Sequence, residues 1–261
     1  MNRRTLLKLL ALTPLAASAQ EYNYSPQPHI LVVGAGLIGA SIAYHLSLFG
    51  AKVTVIDKQG PASHASRGTF AWINASYAKQ PQQYHSLSQQ SVEAWHQLQQ
   101  QLNIPVKWGG SLEWFSGEAR QQKLIRQIVE QQHWGEPASI ISAAQASSLE
   151  PHVDFTGASN IAFSENDGAV DPVLATRILL QASTSMGAQL IYPSELSDTL
   201  YDGTRLVAAK TTTGRIMADK IVLATGAATE IVKKIAKIDI PQRSTPGAIV
   251  ITAPLPPILN R

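Results

Sequence analysis

Residues 29–57 read HILVVGAGLIGASIAYHLSLFGAKVTVID, and few folds accommodate that order of residue types. Ile30-Leu31-Val32-Val33 is a wholly apolar run, as expected of a strand buried on both faces. It leads into Gly34-Ala35-Gly36-Leu37-Ile38-Gly39. Leu37, Ile38, Ile42, Leu46 and Phe49 then recur at helical spacing up to Gly50, a helix stop. Lys52–Ile56 reads as a second strand and Asp57 closes it, with Lys58 following. Each part of such a βαβ unit has a mechanical task. Gly34 permits the tight turn out of the strand, Gly36 leaves the backbone open to a pyrophosphate, and Gly39 lets helix and strand pack closely. The helix N-terminus presents N–H groups and partial positive charge to phosphates. Asp57 can accept from both hydroxyls of a ribose. A GxGxxG alone is a weak signal, and a glycine-rich turn that binds nothing is the plainer account. The ordered strand, helix, strand and acid favour a dinucleotide site.

Which dinucleotide is not decided by that unit. Residues 60–77, GPASHASRGTFAWINASY, cluster small polar residues where the chain leaves the second strand. Ser63, Ser66, Arg67, Gly68 and Thr69 could donate to a pyrophosphate and a flavin ring edge. Taken alone they better suit a Ser/Gly loop with one solvated Arg. Further on, 172–185 reads as a helix and 187–192 as a strand. Asp202-Gly203 turns a hairpin between 199–201 and 206–209, and 220–227 reads as a buried strand ending in a glycine turn.

Three stretches, VVGAGLIGASIAYHLSLFGAKVTVID, DGAVDPVLATRILLQASTSMGAQL and the hairpin followed by IVLATGAAT, resemble the D-amino acid oxidase-like family of FAD-dependent oxidoreductases. The resemblance spans roughly 29–250 in the same order. It implies an α/β fold with an α+β insert: a Rossmann-like FAD-binding domain (29–80 and 166–243) interrupted by a substrate-binding domain (81–165 and 244–261). By the same resemblance Gly34, Gly36 and Gly39, with Leu37 and Ile38 between them, hold the pyrophosphate. Asp57, next to Lys58, takes the adenosine ribose. Ser66, Arg67, Gly68 and Thr69 follow the pyrophosphate toward the flavin. Leu196 meets the adenine through its backbone, and Ala224, Thr225 and Gly226 close over the nucleotide from the other side. No second GxGxxG is present for a nicotinamide, so electrons are expected from the substrate.

Between the nucleotide segments the texture changes. Leu87, Val92, Trp95, Leu98 and Leu102 recur at near-helical spacing over 82–103, Trp108–Phe115 reads as a strand entry, and 118–133 as an amphipathic helix. The family's remaining substrate-domain strands and final glycine-rich flavin segment would follow Arg261, so the chain reads as a C-terminally truncated member. The reaction implied is hydride transfer from the carbon beside an amine to flavin, on a small amine or amino acid. The electron acceptor is left open. The alternatives are a non-catalytic flavin-binding remnant and an NAD-dependent dehydrogenase. No catalytic residue is assigned. His64, Asn74 and Tyr77 lie near the flavin loop and are read as structural or surface residues. His133 and His152 lack metal spacing, and no metal is assigned.

Composition narrows the partners. Arg3, Arg4 and Lys8 lie in a first segment without acids; removing them from the 21 basic residues leaves 18 against 18 acidic ones. Neither nucleic acid nor an anionic membrane is indicated. With no cysteine, this chain has no disulfide, thiol nucleophile, cysteinyl metal site or flavin attached through a cysteine. Residues 1–19 combine a basic start, a modest apolar stretch and Ala17-Ser18-Ala19, the anatomy of an export signal. Arg3-Arg4 before Leu6-Leu7-Lys8 has the twin-arginine pattern, so a periplasmic location is expected. Lys8 and Pro14 interrupt a stretch already too short to span a bilayer stably. Residues 20–28 read as a linker.

Overall fold

A computed structural model describes residues 27–76, 79–243, 249, 253, 256 and 258–260. The expected signal, most of the linker, Tyr77 and much of 244–261 lie outside the described residues. Four parallel strands form the central sheet: β1 (His29–Val33), β2 (Lys52–Ile56), β9 (Gln189–Ile191) and β13 (Lys220–Leu223), in the order β13-β1-β2-β9. Residues His29–Val33 pair with Lys52–Ile56 on one side, and Ile30–Val33 with Lys220–Leu223 on the other. That register brings Gly34, Asp57 and Ala224 to one edge, beyond the carboxyl ends of adjacent strands. A crossover leaves β1 to either side there, and parallel α/β sheets characteristically bind ligands at such a point.

Side chains on β1 alternate between the two faces of the sheet. Val32 joins Val53 and Val55 against α1 (Leu37–Leu48) and α5 (Pro172–Ser185). Leu31, Val33 and Ile56 face the other way, onto the antiparallel sheet β10 (Leu196–Asp202), β11 (Arg205–Thr211) and β12 (Gly214–Met217), with α6 (Thr229–Ala236) beside it. The α1 face differs from the one its large apolar residues suggest. Gly39, Ala40, Ala43, Tyr44 and Ser47 are buried, whereas Ile38 is 71% and Phe49 84% exposed. Small residues win that face because helix and strand approach too closely for larger ones; a Cβ on Gly39 would overlap the carbonyl oxygen of Gly34. The 220–227 segment also departs from a fully buried strand. Its Ile221, Val222 and Leu223 are half-buried, since β13 is the sheet's edge among the described residues.

The intervening chain builds two antiparallel sheets. One orders β3 (Trp72–Ile73), β8 (Gly168–Val170) and β4 (Val106–Trp108) as β3-β8-β4. The other orders β5 (Ser111–Trp114), β7 (Ile161–Ser164) and β6 (Ala138–Ile141) as β5-β7-β6. The strand expected over 108–115 is split between them, because Gly110 turns the chain at φ +82°. Helices α2 (Gln82–Leu102) and α3 (Glu118–His133) pack here, with the short α4 (Ala143–Leu149). Both long helices fall where their periodicity put them, but α2 buries His85, Ser88 and Val92 while Leu87 is exposed.

Candidate functional site

A cavity of about 560 Å³ opens at the carboxyl edge of the parallel sheet. Of the residues singled out from sequence, Gly34, Gly36, Asp57, Lys58, Ser66, Leu196, Ala224, Thr225 and Gly226 line it. Gly34 sits at φ +112°, and a Cβ there would overlap the carbonyl of Ala224. The first turn of α1 starts at Gly36, which offers no side-chain cap. Helix N-terminal N–H groups in that state suit an external anion. Leu37 donates its N–H to Ser66 Oγ at 2.9 Å, so the loop after β2 is fastened to the helix start. A Cβ on Gly36 would meet that same Oγ at 3.1 Å.

Asp57 is held as firmly as any group at the site. Its Oδ2 accepts the N–H of Ala35 at 2.9 Å, and its Oδ1 accepts those of Gln59 and Gly60, both at 2.8 Å. The carbonyl of Asp57 accepts the N–H of Ser194 at 2.8 Å. This bond ties β2 to the segment entering β10, where Leu196 is buried and lines the cavity. Ser63 donates its hydroxyl to the carbonyl of Gly60, closing the turn between them.

The other expected residues lie elsewhere. Gly39 acts through packing, as above. Ile38 points outward, and Arg67 and Gly68 line neither this cavity nor the next. Arg67 and Gly68 donate their N–H groups to the carbonyl of His64 in a tight turn, at 2.9 and 3.1 Å. Leu37 and Thr69 line a second cavity of about 340 Å³, beyond the α1 N-terminus. Its walls are formed by β3, by Val92 and Trp95 of α2, and by Val170 and Pro172. Asn74 reaches it and His64 reaches the larger cavity, although the sequence favoured a structural or surface role over a site-facing one for both. Ser194, Glu195, Ala228, Glu230 and Ile231 also line the larger cavity without having carried any local signal.

A buried polar cluster supports the second cavity. Asp167, fully buried, accepts from Trp72 Nε1 at 3.0 Å and from Ser111 Oγ at 2.6 Å. Burial pushes its carboxyl above the usual range, although Ser111 and other donors oppose the shift. Glu136 is also pushed up by burial, against a hydrogen bond from Gln89 at 3.0 Å. Lys79 lines the cavity and is pushed down by burial, with the charges of Asp167 and Glu136 opposing. Ala71 adopts the left-handed conformation at φ +57° in the same wall, a placement found disproportionately at functional sites. Among the described residues no group of three or more His, Cys, Asp or Glu is placed to hold a metal ion. None of their helices is long and apolar enough to cross a membrane.

The FAD dependent oxidoreductase family model, D-amino acid oxidase-like, matches residues 29–261. The chain belongs to this family, and its cofactor is FAD. The cradle fits that cofactor: the positions where a Cβ would crowd the turn are glycine, and the helix start lacks a cap of its own. Anaerobic glycerol-3-phosphate dehydrogenase subunit A1 of Haloferax volcanii is 26% identical over 90% of this chain and 42% of its own length. The 4-methylaminobutanoate oxidase (formaldehyde-forming) of Paenarthrobacter nicotinovorans is 25% identical over 84% of this chain and 27% of its own. Among solved structures, L-proline dehydrogenase from P. horikoshii superposes with a TM-score of 0.74 at 25% identity, over 81% of this chain and 56% of its own. The chain thus spans less than half the length of both of these relatives and little more than half of that structure.

Proposed function

We propose that this chain carries FAD with its adenosine at Asp57 and Leu196 and its pyrophosphate over Gly34, Gly36 and the α1 N-terminus. Its ring end then lies toward Leu37, Thr69 and the second cavity, and its substrate is a small amine or amino acid. The observation that carries the assignment is the convergence of the glycine cradle, the helix start at Gly36 with no side-chain cap of its own and the fixed Asp57 carboxylate on one 560 Å³ cavity. Held there, FAD would supply the acceptor for a hydride from the carbon beside the substrate nitrogen, and water would hydrolyse the resulting imine. The protein's share is alignment and exclusion of water. Asp57 anchors one end of the cofactor, while Ile73, Val92 and Trp95 supply an apolar wall at the other. We assign 29–80 and 166–243 to cofactor binding and 81–165 and 244–261 to the substrate side.

Oxidation of an alcohol carbon is the competing reading, favoured by the glycerol-3-phosphate dehydrogenase relative. Anaerobic mixing of the flavin-loaded protein with a panel of amino acids, N-methyl amines and glycerol 3-phosphate separates the two. Bleaching of the flavin by an amine or amino acid supports the proposal, and bleaching by glycerol 3-phosphate alone overturns it. A protein that binds FAD and is bleached by none of these is a flavin-binding remnant. For residues 1–19 we propose twin-arginine export to the periplasm. Replacing Arg3-Arg4 by Lys-Lys should abolish export of a reporter fusion, and unchanged export refutes the assignment.

A further inference from the structure

Among the described residues, Lys79 is the only charged one lining the second cavity. Its Nζ donates to Ser88 Oγ at 2.8 Å, and Ser88 Oγ donates in turn to the carbonyl of Tyr84 at 3.3 Å. The hydroxyl is thereby oriented to receive the ammonium, and the Tyr84 ring lies 5.8 Å from Nζ. An ammonium has three donors. Among the described residues one goes to Ser88, and no carboxylate lies within 4.0 Å of Nζ. Asp167 and Glu136 act on it only from further away. A half-buried cation without a contact counter-ion is costly to maintain. The fold nevertheless places it at a cavity otherwise walled by Ile73, Val92, Trp95 and neutral polar groups.

We infer that Lys79 is the anion-binding residue of the second cavity and receives the carboxylate of a substrate whose apolar part lies against Val92 and Trp95. A carboxylate suits the site better than a phosphate monoester. It carries a single charge, which one ammonium balances, whereas a phosphate dianion calls for several charged donors. The inference rests on the proposal that this cavity is the substrate side of an amine or amino-acid oxidoreductase, and it names the group by which that substrate is held.

Trp72 and Trp95 both line the cavity, so their fluorescence reports occupancy whether or not FAD is present. The purified chain is titrated with isovalerate, with its neutral isostere isovaleramide and with glycerol 3-phosphate, before and after loading with FAD. Isovalerate should give a saturable change, with the amide weaker by about tenfold or more, as expected for loss of a charged hydrogen bond. Lys79→Met should weaken isovalerate by a similar factor, and Lys79→Arg should restore most of it. Circular dichroism confirms that each variant is folded, and Ser88→Ala, which frees the ammonium without removing it, should retain the preference for acid over amide. Equal binding of acid and amide, unchanged binding in Lys79→Met, no saturable response, or tighter binding of glycerol 3-phosphate each overturns the inference. A protein that takes up FAD but ignores isovalerate refutes this inference alone. One that binds isovalerate but no FAD refutes the functional proposal and leaves the anion site standing.

Discussion

Two glycines three residues apart, one capping α1 and one within its first turn, should fail in opposite ways when each receives a methyl group. At Gly39 the new Cβ would overlap the carbonyl oxygen of Gly34 and lie 3.0 Å from its carbon, both backbone atoms of the strand–helix turn. Neither can yield without moving the turn, so overpacking of about 3 kcal/mol is expected. Alanine's better helix propensity returns about 1 kcal/mol. The net loss of about 2 kcal/mol corresponds to a fall in Tm of about 4–8 °C for a domain of this size. At Gly36 the backbone is extended, with φ −74° and ψ 179°, and the nearest atom is Ser66 Oγ at 3.1 Å, the end of a rotatable side chain. Gly36→Ala should therefore cost the fold only about 0.5–1 kcal/mol, the usual penalty for alanine at a helix N-cap. On the proposed placement its methyl group stands where the pyrophosphate would approach, so FAD affinity should fall by about tenfold or more, the loss of one charged hydrogen bond. Thermal melts of the FAD-free variants, followed by titration of FAD with its fluorescence as the signal, separate the two effects. The reasoning is refuted if Gly36→Ala binds FAD as tightly as the parent, or if Gly39→Ala melts with the parent.

Asp57→Ala should destabilise even the FAD-free protein by about 1–3 kcal/mol in urea unfolding, since the N–H groups of Ala35, Gln59 and Gly60 lose their acceptor; an unchanged midpoint would show that water replaces the carboxylate. Ser66→Ala removes the acceptor of the Leu37 N–H, and should cost about 0.5–2 kcal/mol and weaken FAD binding as well. For Asp167 the sign follows from its raised folded pKa. Its stabilising contribution is complete below the unfolded value near 3.8 and is lost as pH rises through the raised one, so burial of the charge weakens the fold toward neutrality. Asp167→Asn removes that titration, and its stability relative to the parent should improve between pH 4 and pH 7 in urea unfolding. A gap that moves the other way contradicts the assigned cause.

The parts of the site legible in sequence are those where one short segment does the whole job. The 29–57 unit supplies strand, cradle, helix dipole and acid from adjacent residues, so its pattern alone defined one side of the larger cavity. The opposite side was legible in part, through Leu196, Ala224, Thr225 and Gly226; Ser194, Glu195, Ala228, Glu230 and Ile231 join it because pairing at β9 and β13 and the Ser194–Asp57 backbone bond bring their segments beside β1 and β2. The Ser66–Leu37 bond was hidden for the same reason, since a serine in a polar loop looks alike whether it faces solvent or closes a helix end. Large apolar residues misled on α1, where close packing selects Ala40 and Ala43 over Ile38 for the buried face.

Asp167 and Lys79 show the remaining gap most clearly. Asp167 precedes a glycine in what reads as a turn, the ordinary place for an exposed acid, yet it is fully buried because β8 pairs with both β3 and β4. The donors Trp72 and Ser111 then converge on it from segments far away in sequence. Lys79 owes its character to that arrangement. A lysine in a polar stretch such as Lys79-Gln80-Pro81 would normally be solvated, but here α2 and the β3 wall half-bury it and leave only distant carboxylates to balance it. Its charge is therefore available at the cavity because Asp167 Oδ2 is engaged by Trp72 and Ser111 instead. If Trp72→Phe released Asp167 from one donor, the carboxylate would compete for Lys79, and anion binding at the cavity should weaken although the change is made at a donor to Asp167 and not at Lys79. Isovalerate titration of Trp72→Phe, read from the remaining Trp95, tests that coupling. Affinity equal to the parent's would mean that the two buried charges are set independently.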